Sequence, residues 1–375
     1  MRQSRVVAAD TGRRPRRQCR SDPRGWLELP PVVRLQFVIA VAISASCLAI
    51  AFRSVELHGL REVLGRAHYW WFLAYPVLAL ALNLTRAEIW RLMLRKRALV
   101  SETFWAYSVG SLVNNLLPLR LGEGARVAVL AAHARLPLAE VAAAAAIERV
   151  LDLVAVMAIL LITLPFVVHN RNITYAALAT SVIAAIAVVA VVVLIVARRL
   201  LERVVRWLSA VIAPKWSDVL VARWNELSRG LGVIGQPGVA APIVAGAALV
   251  WILTVLLQWI VLRAFQPQAE LIDAASFVGT ISIAGAIPAA PGGIGTYQWI
   301  GRETLATAFP LRYSPTMALA IALASHAASY AFSTLMGLAG AWFFGVPLAR
   351  LLKTAPADPV MNSEPARRAT VPGPP

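Results

Sequence analysis

The stretch "IERVLDLVAV", residues 147–156, places three ionisable side chains in a run that is otherwise Ile, Val, Leu and Ala. Glu148 and Asp152 are four apart and share a helix face; Arg149 and Asp152 are three apart and can pair. In hydrocarbon such groups cost about 2.5–3.5 kcal/mol each, so they turn towards a bundle interior and often mark a pathway. Two uses fit the pattern. The three groups can contact a polar headgroup, or an Arg–Asp pair can simply pin its helix to a neighbour. The stretch "PLRLGEGAR", residues 118–126, offers Arg120, Glu123 and Arg126 as partners.

That second stretch is also one of two matched breaks. Pro118 and Gly122 stand in the same P-x-x-x-G spacing as Pro288 and Gly292, and each break follows one apolar half-helix and precedes another. The second break lies in "IPAAPGGIGTYQ", residues 287–298, with Pro288, Pro291, Gly292, Gly293 and Gly295. Proline ends a helix, and glycine turns the chain tightly and lets other groups approach the backbone. Inserted from opposite faces, two such hairpins form an inverted pair around a central site, a device of transporters. Irregular backbone at that depth is tolerated only where protein or a wet cavity surrounds it. The amides that open the half-helix at Gly295 could then face an anion. An ordinary loop between two short spans also accommodates Pro and Gly, but it leaves the matching of the two breaks unexplained. Asn114 and Asn115, just before the first break, can cap freed backbone groups or contact a polar substrate.

The elements that hold these residues follow from composition. Of 375 residues, 59% are hydrophobic and only 15% charged, and the mean hydropathy is +0.68. Soluble domains sit nearer half apolar and a quarter charged, so the chain is expected to be an all-α polytopic membrane protein. The net charge of +17 sits in short segments flanking apolar runs. That is the positive-inside pattern, not the basic folded face a nucleic-acid binder needs. Some of it suits anionic lipid headgroups. Six full spans are expected near 32–52, 69–92, 138–168, 173–197, 239–262 and 315–344. The shorter runs 103–117 with 127–134, and 271–286 with 295–309, make the two hairpins. Residues 53–68 read as a loop, residues 1–31 and 349–375 as disordered cytoplasmic tails, and 32–348 as the membrane domain. Basic residues near 95, 198–229 and both termini are consistent only with N-in, C-in topology.

Within 199–232, the apolar Leu201, Val204, Val205 and Leu208 oppose Arg199, Glu202, Arg203 and Arg206. This fits a helix lying in the cytoplasmic interface; a soluble amphipathic hairpin is the alternative. Arg86 and Glu88 lie near the cytoplasmic end of the second span, where snorkelling accounts for them. His326 and Tyr330 are one turn apart in the last span, and such a histidine is expected to be a packing residue. Gly337, Gly340 and Gly345 suggest close helix packing. Cys19 and Cys47 are not expected to meet, so neither a disulfide nor a metal site is indicated. No phosphate-binding Walker motif, metal-ligand spacing or G-x-S-x-G is present. No cofactor is expected, and no enzymatic activity.

The runs "NNLLPLRLGEGAR", "IERVLDLVAV" and "IPAAPGGIGTYQ", in this order, resemble the flippase-like family. This family includes the transmembrane part of lysylphosphatidylglycerol synthases, the multiple peptide resistance factors. The resemblance covers roughly 32–346. It places the family pattern on Asn115, Pro118, Gly122, Glu123 and Arg126, on Glu148, Arg149 and Asp152, and on Pro288, Pro291, Gly292, Gly293 and Gly295. Gln298 is a departure, since family members often carry Glu there. An acid's role in proton coupling or in holding a cationic headgroup would then fall to Glu303 or Glu123, or be absent. No segment of this sequence suits the synthase's aminoacyl-transferase domain, so the resemblance implies the membrane module only.

The function expected is translocation of a phospholipid or lipid-linked headgroup across the inner membrane. The substrate contacts expected are Asn114, Asn115, Arg120, Glu123, Arg126, Glu148, Arg149, Asp152, Gly292, Gly293 and Gln298. Membrane lipids are the expected partners, with a separately encoded lipid-synthesis enzyme and no nucleic acid. Two rivals are a membrane-embedded subunit or enzyme of envelope-lipid or glycan synthesis, using Glu148, Asp152 or Glu123 as acid or base, and a small-solute secondary transporter.

Overall fold

The computed structural model describes residues 31–53, 55–117, 121–167, 237–284 and 290–345, with isolated positions between 182 and 232. Residues 1–30 and 349–375, all but isolated positions of the expected span 173–197 and of 199–232, Pro118, Arg120, Pro288 and Cys19 lie outside the described residues.

The described chain is helical throughout and has no strand. Its α-helices are α1 (Pro31–Phe52), α2 (Leu57–Arg66), α3 (Tyr75–Met93), α4 (Val100–Leu116), α5 (Gly122–His133), α6 (Leu138–Val167), α7 (Pro237–Phe265), α8 (Leu271–Ala284), α9 (Thr296–Ala308) and α10 (Pro315–Phe343). Residues Tyr69–Leu73 and Pro291–Gly293 form short 3-10 turns. Among the described residues, three helical stretches are long and apolar enough to cross a membrane: Tyr69–Met93, Gly238–Phe265 and Pro315–Phe343. Val38–Phe52 with Leu57–Arg66 makes a fourth if that pair, bent by 82°, is one span.

Burial runs opposite to the pattern of a water-soluble bundle. Val77, Leu80 and Leu84 on α3, Leu161 and Ile162 on α6, Val244, Leu249 and Ile252 on α7, and Leu335 and Trp342 on α10 are exposed. Meanwhile Arg126, Glu148, Asp273, Gln298, Arg302 and His326 are buried. Apolar faces turned outward and polar groups turned inward suit a lipid surround, in which an unpartnered polar group costs several kcal/mol.

Two apolar cores organise the bundle. One packs α3 to α6 with α7 through Ile89, Trp90, Leu94, Leu130, Ile147 and Ile243. The other packs α2 with α7 to α10 through Leu60, Leu262, Phe277, Leu305, Tyr313 and Ile321. The segment expected as a loop at 53–68 therefore holds α2, because Leu60, Val63 and Leu64 recur at helical spacing and pack on this second core.

The first hairpin is α4 with α5, and the second is α8 with α9. Each is closed at its base by side chains. Glu102, at the start of α4, lies 3.7 Å from His133, at the end of α5, and Arg97 pairs with Glu140 beside them. At the second base, Arg312 pairs with Glu270 at 3.0 Å and Asp273 at 2.8 Å, and Tyr313 donates to Asp273 at 2.8 Å. Helix α10 relates the two. The first base packs on its C-terminal end, where His133 meets Phe344 and Trp105 stacks on Phe343. The second base leads directly into its N-terminal end at Pro315.

Helices α4 and α10 approach closely through small residues. A Cβ on Gly340 would stand 2.9 Å from the Trp105 carbonyl oxygen, which backbone cannot yield. Gly340→Leu is therefore expected to lower thermal stability in detergent by about 1–3 kcal/mol, the range for overpacked cores. Gly65→Ala, in α2, where a Cβ meets nothing within 4 Å, should not lower the melting temperature and should raise it slightly, since Ala favours the helix over Gly.

Candidate functional site: a charge network and a polar cavity

The charges of α6 are fully partnered. Glu148 accepts from Arg86 at 2.5 Å and from Trp90 Nε1 at 3.0 Å, and pairs with Arg126 at 2.8 Å. Asp152 pairs with Arg86 at 3.4 Å and Arg149 at 3.5 Å, and accepts from Trp251 Nε1 at 3.0 Å. Glu123 pairs with Arg126 and, at 2.5 Å, with Arg149. Three arginines and three carboxylates thus form one neutral network joining α3, α5 and α6. The guanidinium of Arg126 lies over the Trp90 ring, 4.7 Å from its centroid, and Tyr107 flanks both Arg126 and Arg86. Burial makes partnering compulsory, and alternating sign gives every charge of the network at least one opposite neighbour.

The network explains two departures from the sequence reading. Arg86 does not snorkel; Glu148 and Asp152, inside the bundle, hold it. Glu88 pairs with Arg91 at 2.8 Å in a more exposed position. The second limb of the first hairpin also begins at Gly122 rather than near 127. The polar residues Glu123 and Arg126 can be helical there because α6 supplies their opposite charges.

The two breaks converge on the middle of α10. At the first, Asn114 Oδ1 accepts from the Gly122 amide at 2.8 Å, the capping role, while Asn115 Nδ2 donates to Ser333 and Thr334 at 2.8 and 3.0 Å. At the second, the turn needs positive φ at Gly292, Gly293 and Gly295 (70°, 74° and 93°). A Cβ on Gly292 would meet the Tyr330 ring at 2.5 Å, and one on Gly295 would strike the Ser44 backbone of α1. Pro291 opens the turn, and Ser44 also accepts from the Ala290 amide at 2.7 Å.

Gln298 and His326 lock this turn. His326 Nε2 faces the Gly292 carbonyl at 3.0 Å, and a carbonyl only accepts, so Nε2 carries the proton. Nδ1 then accepts from Gln298 Nε2 at 2.7 Å, while Gln298 Oε1 accepts from the Gly295 amide at 2.7 Å. Every polar atom of both side chains serves the turn. Tyr330 links the breaks by donating to the Asn115 carbonyl at 2.7 Å. His326 lies about 16 Å from the start of α10, and Ser333 about 15 Å from its end, at 1.5 Å per residue.

A cavity of about 330 Å³ lies between the hairpins, bounded by α3, α4, α7, α8, α9 and α10. None of the expected site residues that are described lines it. Its wall is hydroxyl- and amide-rich. Ser325, Ser329 and Ser333 recur at spacing four on one face of α10. Asn83 and Arg86 face it from α3, Thr254 and Gln258 from α7, and Ser111 and Ser282 from α4 and α8. Spacing four, i and i+4, in apolar spans was the available signal; single serines in such spans are too common to stand out. The cavity and the network meet at Arg86, which belongs to both. The alternative acid Glu303 pairs with Arg302 at 3.2 Å.

The family model for the lysylphosphatidylglycerol synthase TM region matches residues 37–337. No curated protein and no solved structure matches the chain. The match takes in both hairpins, the charge network and every described wall of the cavity. The chain belongs to the lysylphosphatidylglycerol synthase TM region family.

Proposed function

We propose that the chain carries the polar headgroup of a lipid across the inner membrane through the cavity between its two hairpins. One observation carries this reading. A polar cavity lies beside the middle of an apolar helix, with a chain break reaching that level from each end. In this reading both breaks are re-entrant tips, inverted with respect to each other. The full spans are α1, α3, α6, α7, α10 and the segment 173–197, with both termini cytoplasmic. The volume, near the lower end of the roughly 300–1,000 Å³ typical of ligand sites, suits a headgroup and not a whole lipid. Acyl chains would stay in the bilayer.

The charge network serves mainly as the frame, because its six groups pair with one another and, of the six, Arg86 alone lines the cavity. For the same reason the chain is a carrier and not an enzyme. Glu123, Glu148 and Asp152 are each held by arginine, and a general acid or base must exchange its proton with substrate. Asn114, Gly292, Gly293 and Gln298 shape the breaks. A separately encoded lipid-synthesis enzyme would supply the cargo.

Filling the cavity tests the reading. Phosphatidylglycerol in proteoliposomes can be followed by the fraction that external periodate oxidises over time. Ser329→Phe is expected to slow its exchange at least about tenfold while the purified yield stays the same. An unchanged rate would contradict the proposal. The frame role makes a separate prediction. Glu148→Leu leaves Arg86 and Arg126 under-partnered, and should cost about 3–5 kcal/mol. Adding Arg126→Met should recover a large part of it, as read from thermal unfolding.

A further inference from the structure

Helices α3 and α5 end in the same unusual way. The Lys96 amide donates to the Arg91 carbonyl at 2.7 Å and the Arg95 amide to that of Leu92 at 3.0 Å; the Leu136 amide donates to the Ala131 carbonyl at 3.0 Å. A helix closed by such a bond, reaching back five residues, carries one residue in the left-handed region, and glycine usually fills that place because it has no Cβ to clash. Here arginine fills both. The φ angle is 52° at Arg95 and 53° at Arg135, and Lys96 follows at 59°. Left-handed backbone is costly for any residue with a side chain, so glycine would be the more stable choice at each turn. A cation does suit the C-terminal end of a helix. That benefit needs no left-handed backbone, however, and α3 and α5 already carry Arg91 and His133 in their last turns.

The two turns are neighbours. Arg97, just past the first, pairs with Glu140, just past the second. Arg95, Lys96 and Arg135 are all exposed. The carboxylates at this end are engaged elsewhere: Glu88 by Arg91, Glu140 by Arg97, and Glu102 by the Leu99 amide and His133. Among the described residues no carboxylate pairs with Arg95, Lys96 or Arg135. Leu99, which precedes α4, and Leu138, which opens α6, are exposed beside them. Bare leucines next to unpaired cations fit the boundary of a bilayer, where apolar side chains enter the hydrocarbon and cations meet phosphates. An acidic soluble protein would answer the cations alone.

We propose that Arg95, Lys96 and Arg135 form a binding site for the phosphate of an anionic phospholipid, in the leaflet at the base of the first hairpin. That leaflet is cytoplasmic in the topology proposed above. The site is distinct from the cavity, which none of its residues lines, and it stands whether or not the chain translocates lipid. The left-handed turns hold long cationic side chains at headgroup level, and the chain accepts less stable helix ends in exchange for lipid contact.

The test measures thermal unfolding of the intact chain in a neutral maltoside detergent, with dioleoyl-phosphatidylglycerol or dioleoyl-phosphatidylcholine added. Phosphatidylglycerol is expected to raise the midpoint several degrees more than phosphatidylcholine, and about 0.5 M sodium chloride to remove most of the difference. Arg95→Gly with Arg135→Gly should cut that difference at least about twofold, while the midpoint without lipid stays the same or rises. Arg95→Lys with Arg135→Lys keeps the charges and should keep the difference. Arg61→Gln, which removes an exposed cation from α2 at the other end of α10, should keep it too. A glycine variant with the full wild-type response would place the lipid elsewhere and overturn the proposal. So would a lowered midpoint of that variant without lipid, which would show that the arginines serve only their helix ends. An equal loss in Arg61→Gln would reduce the effect to net charge and overturn it as well.

Discussion

A charge or an open backbone group surrounded by apolar side chains must find a partner within the protein, because no water is there to serve. This constraint shapes the two halves of the bundle in different ways. On one side, α6 brings Glu148, Arg149 and Asp152 into the interior. Arg86 from α3, with Glu123 and Arg126 from α5, completes three pairs of opposite charge. On the other side, the groups are backbone amides and carbonyls freed where α8 gives way to α9, and Gln298, His326 and Ser44 take them up. Each solution fixes a hairpin in place, and the cavity is the space left between them.

The two hairpins have different construction. The first is joined through ions, and its limbs approach so closely that a Cβ on Gly110 would stand 2.8 Å from the Gly122 carbonyl oxygen. The second is joined through neutral hydrogen bonds and hydroxyls, including Thr304 to Thr280 at 2.8 Å. Its charges are the base cluster, where Arg312 meets Asp273 and Glu270, and the Arg302–Glu303 pair partway along α9. An ionic frame is rigid because breaking any one pair strands a buried charge. A hydrogen-bonded turn over three glycines is held less strongly. Tyr330 ties the two hairpins together, donating to Asn115 and packing on Gly292.

Much of this was legible in the sequence, and the physical reasons are particular. Glu148, Arg149 and Asp152 stood out because charge in an apolar run is costly, and the same cost pointed to Glu123 and Arg126 as partners. The glycines and prolines of the second break stood out because helices exclude them. Arg86 was concealed by its neighbours: close to Arg91 and Arg95 it looked like part of a basic membrane edge. Trp90 and Trp251 could not be told from tryptophans of a lipid interface. The serine ladder was hidden because serine is common in membrane helices and announces nothing until three share a face across a cavity. Helix α2 was missed because its charges balanced and its apolar residues were few. Of the expected substrate contacts, those among the described residues belong to the charge network and the turns, and none of them lines the cavity.

The account stands on the opposed entry of the two hairpins, and sidedness of their bases measures that directly. Leu99, at the start of the first hairpin, and Leu311, beyond the end of the second, are both exposed. With Cys19 and Cys47 replaced by serine, single cysteines at these positions can be probed with an impermeant thiol reagent on intact cells and on inverted membrane vesicles. The account predicts that Leu99→Cys labels only in inverted vesicles and Leu311→Cys only on intact cells. Labelling of both positions from the same side would contradict it.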